Sequence, residues 1–241
     1  MDASIREALA DLDFNDPAAL EKASRQIRSQ FELAPVSQTL RDALHIAYGW
    51  IGAPPVAVRS SATAEDLPDM SFAGQQDTYL NIIGADALTD SVIACWSSLW
   101  TARAIGYRAR NEIPQEDVSL AVVVQKMVEA EVSGVMFTAN PLSGKRDEIV
   151  IDATFGLGEA LVSGLVEPDN YIIATPPSQP SPEGGRSSFS PPRGEMSDRT
   201  EGGIISKTLG AKATVIRGEA KGGTSTENAD NALPSSGGDV R

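Results

Sequence analysis

An arginine, Arg59, stands where a predicted strand enters a loop rich in hydroxyl groups. Residues 56–59 read VAVR, a short apolar run typical of a buried strand, and residues 60–63 read SSAT. A planar guanidinium can hold two phosphate oxygens at once, and small neighbours let backbone N–H groups approach the same anion. Arg59 is therefore a candidate phosphate clamp. A second interpretation stays open, in which Arg59 pairs with Glu65 or Asp66 in a solvated turn.

The composition is that of an acidic globular chain. Its 241 residues suffice for one large or two small domains, and 41% of them are hydrophobic. With 20 basic against 33 acidic residues the formal charge is −13, which repels nucleic acid and anionic membrane surfaces. No apolar run approaches the roughly 20 residues that cross a bilayer. We therefore expect no nucleic-acid and no membrane partner, and a phosphate site would need compensation by Arg59, Mg²⁺ and backbone donors.

The single cysteine, Cys95, excludes an internal disulfide. Its place beside Trp96 in a helical pattern predicts a core thiol rather than a nucleophile. His45, the only histidine, lies between Leu44 and Tyr48 and is predicted to pack. The opening residues MDASIREALADLD lack the basic and apolar parts of a signal peptide, so the expected location is the cytoplasm.

Three helices are predicted before the arginine-bearing strand, at residues 3–12, 16–32 and 37–51, the second with Asn15 as a possible cap. A long helix near 86–110 follows a second strand at 78–83. Its last turns carry three arginines, which we interpret as surface charge that complements the helix dipole: Arg103, Arg108 and Arg110.

The part of the chain after Pro114 is β-rich. Apolar or alternating runs separated by short turns predict strands at 119–128, 132–138, 148–154 and 169–174. Helices combined with largely antiparallel strands favour the α+β class. We predict an N-terminal helical and α+β lobe over 1–113 and a β-rich lobe over 114–241.

Five collinear motifs carry a family resemblance. The segment VRSSATAEDLPDMSFAGQQDTYLN at 58–81 resembles the signature of the ATP-binding domain of phosphoenolpyruvate synthases, pyruvate phosphate dikinases and rifampicin phosphotransferases. Further matches are SLWTARAIGYR at 98–108, LAVVVQKMV at 120–128, SGVMFTANP at 133–141 and IDATFGLGEALVSGLVEPDNY at 151–171. The resemblance implies an ATP-grasp-like, two-lobed nucleotide-binding domain, with its signature loop at 59–78 and with ATP and Mg²⁺ as cofactors.

The resemblance also implies site residues. Arg59 matches the phosphate arginine, and Gly74 and Thr78 lie in the glycine-bearing segment of the signature. Gln125 lies on the strand where adenine is expected, although an outward polar residue of an alternating strand is an equally simple interpretation. Met127 offers a soft apolar wall to the purine. Arg103 joins the set because it belongs to the motif TARAIGYR.

No metal site can be assigned from the sequence. Glu65, Asp66 and Asp69 could hold Mg²⁺ through carboxylate oxygens, or they could simply be solvated. The segment FGLGE at 155–159 fails the dinucleotide pattern GxGxxG because position 161 is leucine, so NAD binding is not predicted. The helix that follows could face an anion, but packing is favoured.

The chain departs from the family pattern at both ends. It begins downstream of the glycine-lysine segment that opens the family's domain, and it stops before the acidic strand and the Q-x-R-P motif. The phosphohistidine and acceptor-binding domains of the intact enzymes are missing partners. We therefore expect a truncated domain, inactive by itself, from a phosphoenolpyruvate synthase-like phosphotransferase that moves phosphoryl groups from ATP through a phosphohistidine to pyruvate. The alternatives are a rifampicin phosphotransferase-like enzyme and a non-catalytic remnant or interaction module.

Residues 176–203 are rich in Pro, Ser and Gly and lack apolar periodicity. Such a composition predicts a disordered insertion at a loop tip, inert or regulatory. The end of the chain, GGTSTENADNALPSSGGDVR, also lacks a periodic core and is predicted to fray.

Overall fold

The computed structural model describes residues 3–63, 76–174 and 204–229. Helices and antiparallel strands share this part of the chain, which confirms the α+β class. The helices are α1 (Ala3–Leu9), α2 (Pro17–Leu33), α3 (Gln38–Trp50), α4 (Ala85–Ser97), α5 (Ala102–Arg110) and α6 (Glu159–Val162). The strands are β1 (Val56–Ala62), β2 (Thr78–Ile82), β3 (Leu120–Lys126), β4 (Val132–Phe137), β5 (Glu148–Phe155), β6 (Asp169–Ala174), β7 (Ile204–Thr208), β8 (Thr214–Gly218) and β9 (Thr224–Asn228).

Side-chain caps fix where the early helices begin. Asp16, not the predicted Asn15, caps α2, because its carboxylate accepts from the backbone N–H of Ala18 while Pro17 opens the first turn. The hydroxyl of Ser37 accepts from the N–H of Leu40 in the same way at the start of α3. Both helices therefore start within two residues of the predicted positions.

The first sheet has the strand order β2-β1-β3, and both pairings are antiparallel. One face packs on α3 and α4 through a core that includes Val56 and Val58, both fully buried, and Tyr48. The alternation of β3 follows from this packing, because Val122 and Val124 join the core while the residues between them are exposed. The helices therefore cover one face, whereas on the other face Arg59 and Val123 are exposed and Ala57 is buried.

The predicted helix at 86–110 is two helices. A short 3-10 turn at Ser98–Trp100 follows α4, and Thr101 has extended backbone angles (φ −62°, ψ 149°) that interrupt the helix. The hydroxyl of Thr101 then accepts from the N–H of Ala104 and caps α5. The interruption redirects α5, so residues that one straight helix would expose can become buried.

Arg108 is the clearest case, and the interpretation of it as surface charge is wrong. Its side chain is fully buried in the core that contains Trp100 and Ile105. The guanidinium donates to Gln115 Oε1 at 2.6 Å and to the carbonyl of Leu99 at 2.8 Å, and it lies 5.1 Å from the centre of the Trp100 ring. Desolvation lowers the pKa of Arg108 from its ordinary value to about 10.

The second sheet has the order β4-β5-β6-β7 and is antiparallel throughout. The turn between β4 and β5 is held by Asn140, whose side chain accepts from the N–H groups of Leu142 and Ser143 and donates to Glu148 at 2.7 Å. Lys145 binds the other oxygen of Glu148 at 2.6 Å, and these hydrogen bonds lower the pKa of Glu148. The TANP motif thus includes a residue that organises a turn.

The chain forms two compact units. One comprises Met1–Val128 and Gly218–Thr224, and the other comprises Glu129–Arg217 and Ser225–Arg241. The first unit contains β3 as well as β1, because these two strands pair along the whole length of β3. Periodicity identified β3 but could not identify its partner strand.

Several predictions concern residues outside the described part of the chain. They are the insertion at 176–203, the chain end beyond 229 and most of the signature loop, at 64–75. Within the described residues, no helix has the length and apolarity to span a membrane.

Candidate functional site

The exposed face of the first sheet brings together three of the predicted site residues, Arg59, Thr78 and Gln125. Arg59 on the central strand is opposite Thr78 of β2 on one side and Val123 of β3 on the other. Thr78 and Arg59 are exposed, and Val123 is 48% exposed. A cation, a hydroxyl and an apolar side chain thus form one row across the strands.

Gln125 lies diagonally across β1 and β3 from Arg59. A guanidinium N–H of Arg59 (Nη1) donates to its side-chain oxygen Oε1 at 3.4 Å, a long hydrogen bond between exposed groups. No carboxylate contacts Arg59 among the residues that the structure describes. The guanidinium is therefore oriented by a neutral amide and keeps donors for an outside acceptor.

Met127 is the first residue after β3. Its side chain is half-buried, and its N–H donates to the carbonyl of Pro55 at 2.9 Å. Alternate residues of an antiparallel strand direct their backbone groups to opposite edges, so the N–H and C=O of Lys126 point away from β1. Among the described residues β3 is an edge strand of its sheet, so these backbone groups face no strand partner there.

Arg103 contacts protein rather than solvent alone. Its Nη2 lies 3.5 Å from Oδ1 of Asp77, and Nη2 of Arg28 lies 3.5 Å from Oδ2 of the same carboxylate. Asp77 directly precedes Thr78, the first residue of β2. The structure therefore links Arg103 to the start of β2 through Asp77, the residue that precedes the strand.

Two polar core groups lie close to Asp77. Burial first, and the charge of Asp77 second, raise the pKa of the Cys95 thiol from 9.0 to about 11. The same two causes, in the same order, raise the pKa of Tyr79. Cys95 is fully buried, as expected of a core thiol. His45 packs on α4, with Nε2 3.3 Å from the hydroxyl oxygen of Thr89.

Gly74 and the acidic trio Glu65, Asp66 and Asp69 lie outside the described residues. Within the described ranges no three His, Cys, Asp or Glu side chains form a group that could hold a metal ion.

The glycine loop after β5 serves packing. Gly156 has φ +75°, and a Cβ there would lie 2.5 Å from the carbonyl oxygen of Ile216. Leu157 donates its N–H to that same oxygen at 2.9 Å. The helix that follows, α6, has four residues.

Sequence reasoning missed three residues near the site: Asp77, Arg28 and Asn81. Asn81 is buried with φ +54°, and its Nδ2 donates to the carbonyls of Glu219 and Gly223, at 2.7 and 2.6 Å. Asp77 and Asn81 belong to the motif QQDTYLN, so their presence in the signature was the available signal. No sequence signal pointed to Arg28, because Arg28 on α2 and its partner Asp77 are distant in the chain.

The described fold and site together define an α+β domain that presents a cation and an amide on one sheet face, beside the edge strand β3. The chain belongs to the family described as pyruvate phosphate dikinase, AMP/ATP-binding domain, which matches residues 1–231.

The chain is similar to several named proteins. It is 54% identical over 175 residues to a probable phosphoenolpyruvate synthase of Methanocaldococcus jannaschii, covering 70% of this chain and 15% of the relative. It is 47% identical over 175 residues to the phosphoenolpyruvate synthase of Pyrococcus furiosus, covering 70% of this chain and 21% of the relative. It is 49% identical over 174 residues to a rifampicin phosphotransferase of Streptomyces sviceus, covering 72% and 20%. The chain thus matches only 15 to 21% of the length of these three relatives.

Proposed function

We propose that the exposed face of the first sheet binds ATP, with Arg59 holding its phosphates. The observation that carries the proposal is the state of Arg59, which is exposed, oriented by Gln125 and in contact with no carboxylate of the described residues. In a chain with a net charge of −13, an arginine that no carboxylate of the described residues neutralises favours an external anion. The hydroxyl of Thr78, opposite Arg59, can donate to the same phosphates.

The adenine is proposed to lie against the outer edge of β3. The outward N–H and C=O of Lys126 match the acceptor and donor of a purine's Watson–Crick edge, and the side chain of Gln125 adds an adaptable amide. Met127 is half-buried beside this edge and supplies apolar contact area. Gly74 is the remaining site position that the family resemblance suggests. Arg103 is proposed to contribute to the site through its ion pair with Asp77.

Mg²⁺ is proposed to come with the nucleotide as its phosphate complex. The described residues do not supply a set of ligands of their own for it, so no step is derived through the metal. Bound Mg²⁺ neutralises phosphate charge, whereas Arg59 and the backbone donors orient the phosphates.

The whole protein is proposed to be a phosphoenolpyruvate synthase-like phosphotransferase, of which this chain supplies the ATP-grasp-like, ATP-binding part. Phosphoryl groups would pass from ATP to a phosphohistidine domain and then to pyruvate on an acceptor-binding domain, in the cytoplasm. The identity to phosphoenolpyruvate synthases over 70% of the chain supports this proposal. The 49% identity to a rifampicin phosphotransferase supports rifampicin as the second candidate acceptor.

Isothermal titration of the purified chain with Mg·ATP tests the binding site. We expect Arg59→Ala to weaken binding by about 1.5–3 kcal/mol, roughly ten- to a hundredfold in Kd, the scale of a charge-assisted hydrogen bond. The Kd of Arg59→Lys should lie between those of the parent chain and Arg59→Ala, because an ammonium keeps the charge but loses the planar fork. Arg25→Ala removes a surface arginine paired with Glu21 and is the matched control. Absence of heat with the parent chain, or equal Kd values for Arg59→Ala and Arg25→Ala, would contradict the proposal.

A further inference from the structure

One carboxylate immediately before β2 is held from two sides. Arg28 on α2 lies 3.5 Å from Oδ2 of Asp77, and Arg103 on α5 lies 3.5 Å from Oδ1. Each guanidinium therefore occupies a different oxygen of the same group. A carboxylate held on both oxygens cannot rotate without losing one partner, so its position is better defined than in a single surface ion pair.

A third helix contacts the same residue through the backbone. The Sγ of Cys95, on α4, lies 3.8 Å from the carbonyl oxygen of Asp77. The thiol is a weak donor, but it is fully buried, and its raised pKa keeps it protonated. Helices α2, α4 and α5 thus all contact one residue at the start of a five-residue strand.

The position of Asp77 matters because of the residue that follows it. Thr78 pairs with Arg59 across the ladder, and Tyr79 pairs with Val58. Side chains alternate along a strand, so fixing Asp77 and Tyr79 on the helix side directs Thr78 to the exposed face beside Arg59. A shift of one residue at this point would turn Thr78 away from the phosphate arginine.

We propose that Asp77 is a positioning residue of the nucleotide site, and that Arg28 and Arg103 serve the site by holding it. The inference rests on the proposed function, since the site it positions is the one built on Arg59 and Thr78. It gives Arg103 an indirect role, and it assigns a role to Arg28, which lies outside every motif of the sequence. Both arginines act through the carboxylate and through the register of β2.

The first test is isothermal titration with Mg·ATP of the whole chain and its variants. We expect Asp77→Asn to raise Kd about fivefold, and Arg28→Gln and Arg103→Gln to raise it about threefold each, the range of one or two partly exposed ion pairs. Asp77→Glu retains the charge and should bring Kd back to within about twofold of the parent. Arg25→Gln, on the same helix as Arg28 but paired with Glu21, should leave Kd unchanged.

The decisive variant is the double substitution Asp77→Asn with Arg103→Gln. If Arg103 acts only through Asp77, the second substitution adds nothing and Kd stays within about 1.5-fold of Asp77→Asn alone. Amide hydrogen exchange gives a readout independent of nucleotide, because loss of the anchor should speed exchange of the Thr78 to Leu80 amides about tenfold while α4 stays protected. If Asp77→Asn does not fold, Arg28→Gln carries the same exchange test.

The results separate this inference from the proposed function. Parent binding that is lost in Arg59→Ala but unchanged in Asp77→Asn would overturn the inference alone. A further loss of more than about threefold on adding Arg103→Gln to Asp77→Asn would also overturn it, since it would show Arg103 acting directly on the ligand. A parent chain that binds no Mg·ATP would overturn the proposed function, and this inference with it.

Discussion

Arg59 and Gln125 hydrogen-bond across β1 and β3, with the guanidinium Nη1 3.4 Å from the side-chain oxygen. The two residues are 66 positions apart in the chain and meet because Ala57 pairs with Gln125 and Arg59 with Val123. The neutral amide orients the guanidinium without neutralising it. This relationship leads to a prediction about the charge of position 125.

Gln125→Glu should weaken Mg·ATP binding more than Gln125→Ala does. A carboxylate at this place would pair with Arg59 and repel the phosphates, whereas alanine only removes an orienting contact. We expect a stability change of at most about 0.5 kcal/mol, because the pair is exposed. Isothermal titration and thermal melts measure the two effects. Gln26→Glu, on the exposed side of α2, adds the same charge away from the site as the control. An equal or tighter Kd for Gln125→Glu than for Gln125→Ala would contradict the orienting role.

Asn81→Ala should lower the free energy of unfolding by about 2–4 kcal/mol. The substitution leaves the carbonyls of Glu219 and Gly223 without their donor and places an alanine at φ +54°. Asn81→Gly loses the same hydrogen bonds, but glycine tolerates the positive φ. Its free energy of unfolding should therefore fall by about 1 kcal/mol less than that of Asn81→Ala. Urea unfolding of the three chains measures the difference. If alanine proves no worse than glycine, the backbone part of the explanation is wrong.

Arg108→Ala should destabilise the chain by about 3 kcal/mol, whereas Arg110→Ala should stay within about 0.5 kcal/mol. Removing Arg108 leaves a cavity beside Trp100 and deprives Gln115 and the carbonyl of Leu99 of their donor. Arg110 is exposed at the end of the same helix. Chemical denaturation of both variants compares them, and equal losses would argue against the buried position of Arg108.

Cys95 should make the stability of the chain fall as pH rises from 9 to 11. The folded pKa, about 11, lies above the ordinary 9.0, so in this interval the unfolded chain releases a proton that the folded chain retains. The loss, up to about 2 kcal/mol, should be absent from Cys95→Ala. Urea titrations of both chains at pH 8, 9, 10 and 11 measure the difference. Parallel stability curves for the two chains would contradict the raised pKa.

The same burial should protect the thiol from reagents. At pH 8 we expect a thiol reagent to modify Cys95 only after the chain unfolds, so the labelling rate should follow the unfolding transition in urea. Prompt labelling of the native chain would indicate that Cys95 is accessible.

The sequence alone determined the local elements and the family. Short apolar or alternating runs placed β1 to β6 within two or three residues of their ends, because such runs are a local property of the sequence. Long collinear motifs sufficed for the family. Residue chemistry made Arg59 a candidate anion clamp, which stays a prediction. The helix starts were predicted to within one residue, although the cap of α2 is Asp16 and not the predicted Asn15.

Only the tertiary structure decided which elements meet. Pairing of β3 with β1 brought Gln125 to Arg59 and placed both strands in one compact unit. The break at Thr101 buried Arg108, and contacts from three helices converged on Asp77. Strand partners, burial of a charge and ion pairs between distant elements depend on packing between segments far apart in the chain, and local periodicity carries no information about such partners.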